Sequence, residues 1–231
     1  MVKTKKLAIF DIDGTLSRES LLISLVDELV KEGVFPKSAE LKYKKHKKRW
    51  EERKGTFSDY INSVIEAFMD NIRGVAYSDV LSVSKTVVEK NKSKIYIYTK
   101  DLISDLKKKG YYILAISNSP KVILDLFCDE YGFDKVYGRF YEIGPHDRFT
   151  GEVTDLHLIG NKANIVKRVI EKGGISLKGS VGVGDTESDI PFLELVEKPI
   201  CFNPNSVLLR HAKREGWKVI VERKDVIYDI S

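Results

Sequence analysis

Apolar positions along this 231-residue chain follow two rhythms, and the change between them outlines the fold. The first is a solid run, Leu7-Ala8-Ile9-Phe10, which leads straight into Asp11-Ile12-Asp13-Gly14-Thr15. A short uninterrupted apolar run predicts a strand buried on both faces, as in a parallel sheet, and Gly14 lets the chain leave it sharply. The second rhythm is helical. Leu21, Leu22, Leu25, Val26, Leu29 and Val30 recur at helical spacing up to Gly33 and Pro36, and Phe57, Tyr60, Ile61, Val64, Ile65 and Phe68 repeat the pattern. These predict helices lying between the first strand and about residue 90. From Asp101 helix and strand alternate again. Leu102 to Lys109 reads as a helix stopped by Gly110, Tyr111 to Ile116 as a strand, and Val122 to Tyr131 as a helix. Phe133 to Thr154 carries turn signals at Gly138, Gly144, Pro145 and Gly151 and predicts a hairpin. Lys162 to Lys172 predicts a helix, Ser180 to Val183 a short strand ending in Gly184-Asp185, and Ile190 to Val196 another helix.

The fold class implied is α/β: a Rossmann-like parallel sheet flanked by helices, with a helical cap inserted after the first strand and a small β-hairpin excursion. The expected division is a core of residues 1–17 and 91–231 and a cap of residues 18–90, joined by short connections that can hinge.

Composition narrows the class without changing it. The apolar content, 42%, is ordinary for a globular protein, and there is neither a signal-peptide core nor an apolar stretch of membrane length. Cys128 and Cys201 stand alone, without the spacing of a disulfide framework or a metal site, so both read as core thiols and the expected location is the cytoplasm. The net charge of +5 is local. Lys42, Lys44, Lys45, Lys47, Lys48 and Arg49 account for it, leaving the rest of the chain close to neutral. Glu40, Glu51 and Glu52 flank that run, which reads as a solvated helix face; the competing reading is an anion or nucleic-acid grip with Trp50 beside it.

Four features carry the chemistry, in this order: Asp11-x-Asp13-Gly14-Thr15, Ser117-Asn118 after a strand, Lys162, and Gly184-Asp185-Thr186-Glu187-Ser188-Asp189. Crossovers between parallel strands put successive strand ends on one edge of a sheet, so Asp11, Ser117 and Asp185 are expected to converge. The four carboxylates Asp11, Asp13, Asp185 and Asp189 would repel one another and any phosphate, which calls for a hard divalent cation with oxygen ligands, best Mg²⁺. Asp11 is then the expected nucleophile toward phosphorus and Asp13 the acid and base, while Ser117, nearby backbone N–H groups and Lys162 hold the phosphate.

These motifs resemble those of the haloacid dehalogenase superfamily of phosphohydrolases, and the order of the segments is similar to its phosphoserine-phosphatase-like branch. The features that carry the second likeness are the helical insert, Ala115-Ile116-Ser117-Asn118-Ser119-Pro120, Phe149-Thr150-Gly151 and Gly160-Asn161-Lys162. The resemblance implies an aspartyl-phosphate on Asp11, phosphate contacts from Ser117, Asn118 and Lys162, and Mg²⁺ held by Asp11, the Asp13 carbonyl and Asp185 with support from Asp189. It implies a small phosphorylated metabolite as partner, neither membrane nor nucleic acid, and a monomer or homodimer. Two departures concern the substrate. Asn118 stands where phosphoserine phosphatases usually have Gly, and Val64 where they carry a carboxylate-gripping Arg; Arg18, Arg49 and Arg53 are candidate substitutes. Phosphoserine phosphatase proper and phosphotransferase remain the alternatives within enzymes.

Overall fold

The computed structural model describes residues 4–154 and 160–231. Its centre is an eight-stranded sheet, among the described residues, in the order β4-β3-β2-β1-β5-β6-β7-β8. The strands are β1 (Lys5–Phe10), β2 (Tyr112–Pro120), β3 (Lys135–Ile143), β4 (Phe149–Thr154), β5 (Ile175–Gly184), β6 (Lys198–Phe202), β7 (Lys218–Arg223) and β8 (Val226–Asp229). β1, β2, β3, β5, β6 and β7 pair in parallel, and the two ends of the sheet are closed by the antiparallel partners β4 and β8.

The unbroken run in β1 has the expected cause. Leu7 and Ile9 belong to one buried cluster, with α7 (Lys162–Glu171), α8 (Ile190–Leu193) and α9 (Ser206–Glu215); Ala8 and Phe10 belong to another on the opposite face. Each fully buried Leu, Ile or Phe contributes on the order of 1.5–3 kcal/mol, so neither face tolerates a polar residue. The second cluster takes in α5 (Ile97–Lys108) and α6 (Lys121–Asp129), and it runs without interruption into the four helices inserted after β1: α1 (Leu21–Lys31), α2 (Ser38–Glu51), α3 (Phe57–Ile72) and α4 (Tyr77–Asn91). Val64 is buried inside that cluster. α1 and α4 are also tied by Glu28, which bonds both Lys31 and Lys90.

The cationic run lies on α2, where most of its charge is answered locally. Lys42 pairs with Asp70, Lys44 with Glu40, Lys47 with Asp27 and Lys48 with Glu52. This is the pattern of a solvated helix face. Among the described residues no helix is long and apolar enough to cross a membrane.

Some elements differ from their expected bounds. The strand expected at Ser180 to Val183 is ten residues long, because its first residues, Ile175 and Ser176, pair with Lys5 and Lys6 before a shift in register. The helix expected over Ile190 to Val196 stops at Leu193: the chain has only a few residues in which to turn and enter β6 at Lys198.

The chain enters and leaves the helical insert along adjacent paths. Arg18 N–H donates to the Lys94 carbonyl and Tyr96 N–H to the Leu16 carbonyl. Both paths meet Glu222, a buried carboxylate at the end of β7, which accepts from the Ile97 and Tyr98 N–H groups that open α5 and lies 3.6 Å from Arg18. Glu222→Ala removes the acceptor for two helix-start amides, a loss of about 1–3 kcal/mol, and is expected to lower the melting temperature by roughly 2–10 °C in a circular dichroism melt. An unshifted melt would show that the crossing does not depend on this carboxylate.

Candidate active site

β2, β1 and β5 are neighbours in the sheet, and the winding reverses at β1. Ligand sites of open α/β sheets form outside the carboxyl ends of strands at such a switch point. Asp11 follows the last residue of β1, Ser117 lies near the end of β2, and Asp185 follows the last residue of β5. After β1 the chain coils tightly, with the N–H groups of Leu16 and Ser17 both donating to the Ile12 carbonyl. Gly14, at φ 82°, lies directly against Asp185: a Cβ there would stand 2.1 Å from Asp185 Oδ2. The turn therefore requires glycine for its backbone and for the approach of Asp185.

Oxygens of Asp11, Asp185 and Asp189 lie within 4.8 Å of one another. Lys162, the first residue of α7, donates to Asp11 Oδ1 and to Asp189 Oδ1, both at 2.6 Å, with only 3% of its surface exposed. Among the described residues no hydrogen bond reaches the second Asp11 oxygen. Asp189 Oδ2 accepts from the Asp185 and Thr186 N–H groups, which fixes the loop after β5, and Thr186 caps the short 3-10 turn Glu187–Asp189.

Asp13 is placed differently. Its Oδ1 accepts from Leu21 N–H at 2.6 Å, at the start of α1, and its Oδ2 accepts from the Ser117 hydroxyl at 2.6 Å. Its side chain thus stands outside the three-carboxylate cluster, turned toward the insert and toward β2. Ser117 Oγ accepts in turn from Ser119 N–H, and Asn118 is exposed at the rim. The Thr15 hydroxyl reaches Asp185 Oδ1 at 3.4 Å, so it links two motifs across the sheet instead of closing its own loop.

Residues 8–194 match the family of haloacid dehalogenase-like hydrolases. The chain belongs to that family. A phosphoserine phosphatase of Archaeoglobus fulgidus is 28% identical over 210 residues, covering 89% of this chain and 55% of that protein, so the chain spans about half the length of this relative. A histidinol-phosphatase of Neisseria meningitidis is 25% identical over 229 residues, covering 94% of this chain and 98% of that one. In structure, the phospho-aspartyl intermediate analogue of a phosphoserine phosphatase superposes with a TM-score of 0.63 at 23% identity, over 96% of each chain; at that identity the likeness speaks for the fold alone.

The electrostatics of the cluster follow from burial. Loss of water pushes the Asp11 carboxyl up to about 7, the charges of Asp189 and Asp13 push the same way, and the Lys162 ammonium pulls against them. Asp185 is raised well above the ordinary carboxylate range by burial and by Asp11 and Asp189. Burial works against the charge of Lys162, yet Asp11 and Asp189 overcome it and keep the amine protonated. Three crowded carboxylates against one ammonium leave negative charge unanswered, and all the donors are oxygens. That donor set fits a hard divalent cation.

The arginines considered from sequence are committed elsewhere. Arg18 pairs with Glu222 and lies over the Tyr96 ring, Arg49 bonds the Lys54 carbonyl, and Arg53 is exposed beyond the end of α2. A groove of about 930 Å³ beside Tyr98, Trp217 and Lys218 opens where β6 and β7 begin, at the sheet edge opposite the carboxylates.

Proposed function

We propose that the protein is a Mg²⁺-dependent phosphomonoesterase that works through an aspartyl-phosphate on Asp11 and acts on a small phosphorylated metabolite. The observation that carries this reading is the Asp11 carboxylate inside the three-carboxylate cluster, held through one oxygen by Lys162 and, among the described residues, without a hydrogen bond at the other. Asp11, Asp185 and Asp189 would hold the cation, with the Asp13 carbonyl as a further ligand. Bound there, it would neutralise the phosphate and polarise one of its oxygens.

The protein's own groups do the rest. The free Asp11 oxygen attacks phosphorus as the ester P–O bond breaks, and the departing alkoxide takes a proton from Asp13. Asp13 next takes a proton from water, whose oxygen attacks the aspartyl-phosphate and releases inorganic phosphate with Asp11 restored. The Ser117–Asp13 hydrogen bond supports this assignment, since the hydroxyl and the α1 N-terminus fix that carboxyl apart from the three that would hold the cation. Lys162, Ser117 and Asn118 would contact the phosphate. Residues 18–90 would act as the cap over a core of residues 1–17 and 91–231, excluding water from the reaction. The two buried, unpaired thiols are in keeping with a cytoplasmic location.

Phosphate release from a panel of phosphomonoesters with Mg²⁺, repeated with EDTA and with glycerol as acceptor, tests the reading. Metal-dependent release is expected; transfer to glycerol in place of release would make the protein a phosphotransferase, and silence across the panel would sink both. The elevated Asp11 value adds a prediction. A cation competes with the Asp11 proton below about pH 7, so Mg²⁺ affinity measured by calorimetry should rise about tenfold from pH 6 to pH 8, with proton release on binding. Affinity flat across that window would contradict Asp11 as a ligand.

A further inference from the structure

Arg139 carries a charge that the described molecule does not answer. β3 runs beside β2 with Tyr137 opposite Ile116, and after a shift in register Arg139 stands opposite Pro120, three residues past Ser117. It therefore emerges at the carboxyl edge of the sheet, next to the segment that carries the candidate phosphate contacts. The backbone there cannot withdraw: a Cβ on Gly138 would lie 3.0 Å from the Ser119 carbonyl oxygen and 3.0 Å from the Lys121 Cα. Two residues on, Tyr141 is buried with its ring 4.9 Å from Phe68 of α3, so this stretch of β3 is where the helical insert meets the sheet edge. The Arg139 guanidinium donates one hydrogen bond to the Tyr141 hydroxyl, a neutral group that leaves its charge unmatched.

Arg139 Nε is fully buried and has no hydrogen-bond partner, and no carboxylate among the described residues pairs with the guanidinium. A guanidinium is charged at every working pH and offers a planar fork of donors matched to two oxygens of one anion. Buried polar groups in folded proteins have partners, so an orphaned donor at the rim of a site calls for a ligand. The facing helix supplies no substitute, because α3, FSDYINSVIEAFMDNI, contains no lysine or arginine.

We infer that Arg139 is a specificity-determining residue, whose fork receives an anionic oxygen group, a carboxylate or a second phosphate, on the part of the substrate that leaves as the alcohol. The inference rests on the phosphomonoesterase reading and deepens it. A leaving group whose only charges are positive is disfavoured at the same place.

Matched substrates test this in wild type, Arg139→Gln and Arg139→Lys. The pairs are 3-phosphoglycerate against glycerol 3-phosphate and fructose 1,6-bisphosphate against fructose 6-phosphate, with p-nitrophenyl phosphate as reference. Wild type should favour the anionic member of at least one pair by about tenfold or more in kcat/KM, the scale of one charge-assisted hydrogen bond. Which pair responds tells carboxylate from phosphate. Arg139→Gln should lose that preference through KM, Arg139→Lys should recover part of it, and both should give the wild-type circular dichroism spectrum, since among the described residues the guanidinium gives up only its Tyr141 contact. Equal losses on p-nitrophenyl phosphate and on the anionic substrates, or a wild type indifferent to the anion, would each overturn the assignment. A wild type that cleaves nothing, p-nitrophenyl phosphate included, would instead strike the phosphomonoesterase reading and take this inference with it.

Discussion

Asp11→Asn is expected to reduce phosphate release by at least about 10⁴-fold while the protein stays folded, because the amide cannot form the acyl-phosphate that the proposed reaction needs. The structure explains why the fold should survive. The amide oxygen of the variant would still accept the hydrogen bond from Lys162, and the substitution removes a carboxyl whose ionisation burial already opposes. Two measurements separate the chemical effect from a structural one. Acid-quenched wild type should retain phosphate on the protein and the variant should not, while both should give the same circular dichroism spectrum. A variant that turns over at the wild-type rate would remove Asp11 as nucleophile.

Lys162→Met is expected to be the most damaging substitution for stability. The ammonium bonds two buried carboxylates at 2.6 Å each, and its loss leaves Asp11 and Asp189 facing one another without a cation between them. Breaking such a buried group from one side costs about 3–5 kcal/mol, a fall of roughly 6–20 °C in melting temperature. The sign of its pH dependence follows from Asp11. Its folded value, about 7, lies above the ordinary 3.8, so the stability it contributes is fully present below about pH 4 and is lost as pH rises through about 7. Without Lys162 the folded value rises further and the loss extends to higher pH. Urea melts should therefore show the largest gap between variant and wild type near pH 8 and the smallest near pH 4. A gap that widened toward acid would mean that the ammonium is not the compensating charge.

The two rhythms of the sequence correspond to real elements wherever a single face of an element decides its burial. β1 is apolar from Leu7 to Phe10 because helices cover both of its faces there, and α1 and α3 show their period because each turns one apolar stripe to the core. α2 and α4 escape such a reading. α2 buries only Ala39 and Tyr43, and α4 alternates valines with serine, threonine and lysine, so neither presents a stripe long enough to stand out. The last third of the sheet, β6, β7 and β8, consists of short runs whose place depends on pairing with distant strands.

For the candidate site, the residue types and their order were sufficient to pick out Asp11, Asp13, Ser117, Lys162, Asp185 and Asp189 as candidates, because few proposed reactions call for that set of acids, hydroxyl and amine together. No linear signal marked Glu222 or Arg139. A glutamate closing an apolar run and an arginine among aromatics are common, and both acquire meaning only from what surrounds them in space.

By itself, then, the sequence determined which functional groups are available, and that a parallel α/β sheet would deliver them to one edge, since chain order and right-handed crossovers constrain strand ends to that extent. Only the tertiary structure decided which atoms meet. It set Asp13 on Ser117 and the start of α1 and apart from the three clustered carboxylates, and it put Lys162 between Asp11 and Asp189. The physical reason is that hydrogen bonds and charge compensation act over a few ångströms between residues as much as 151 positions apart, and those distances exist only once both faces of the sheet are packed.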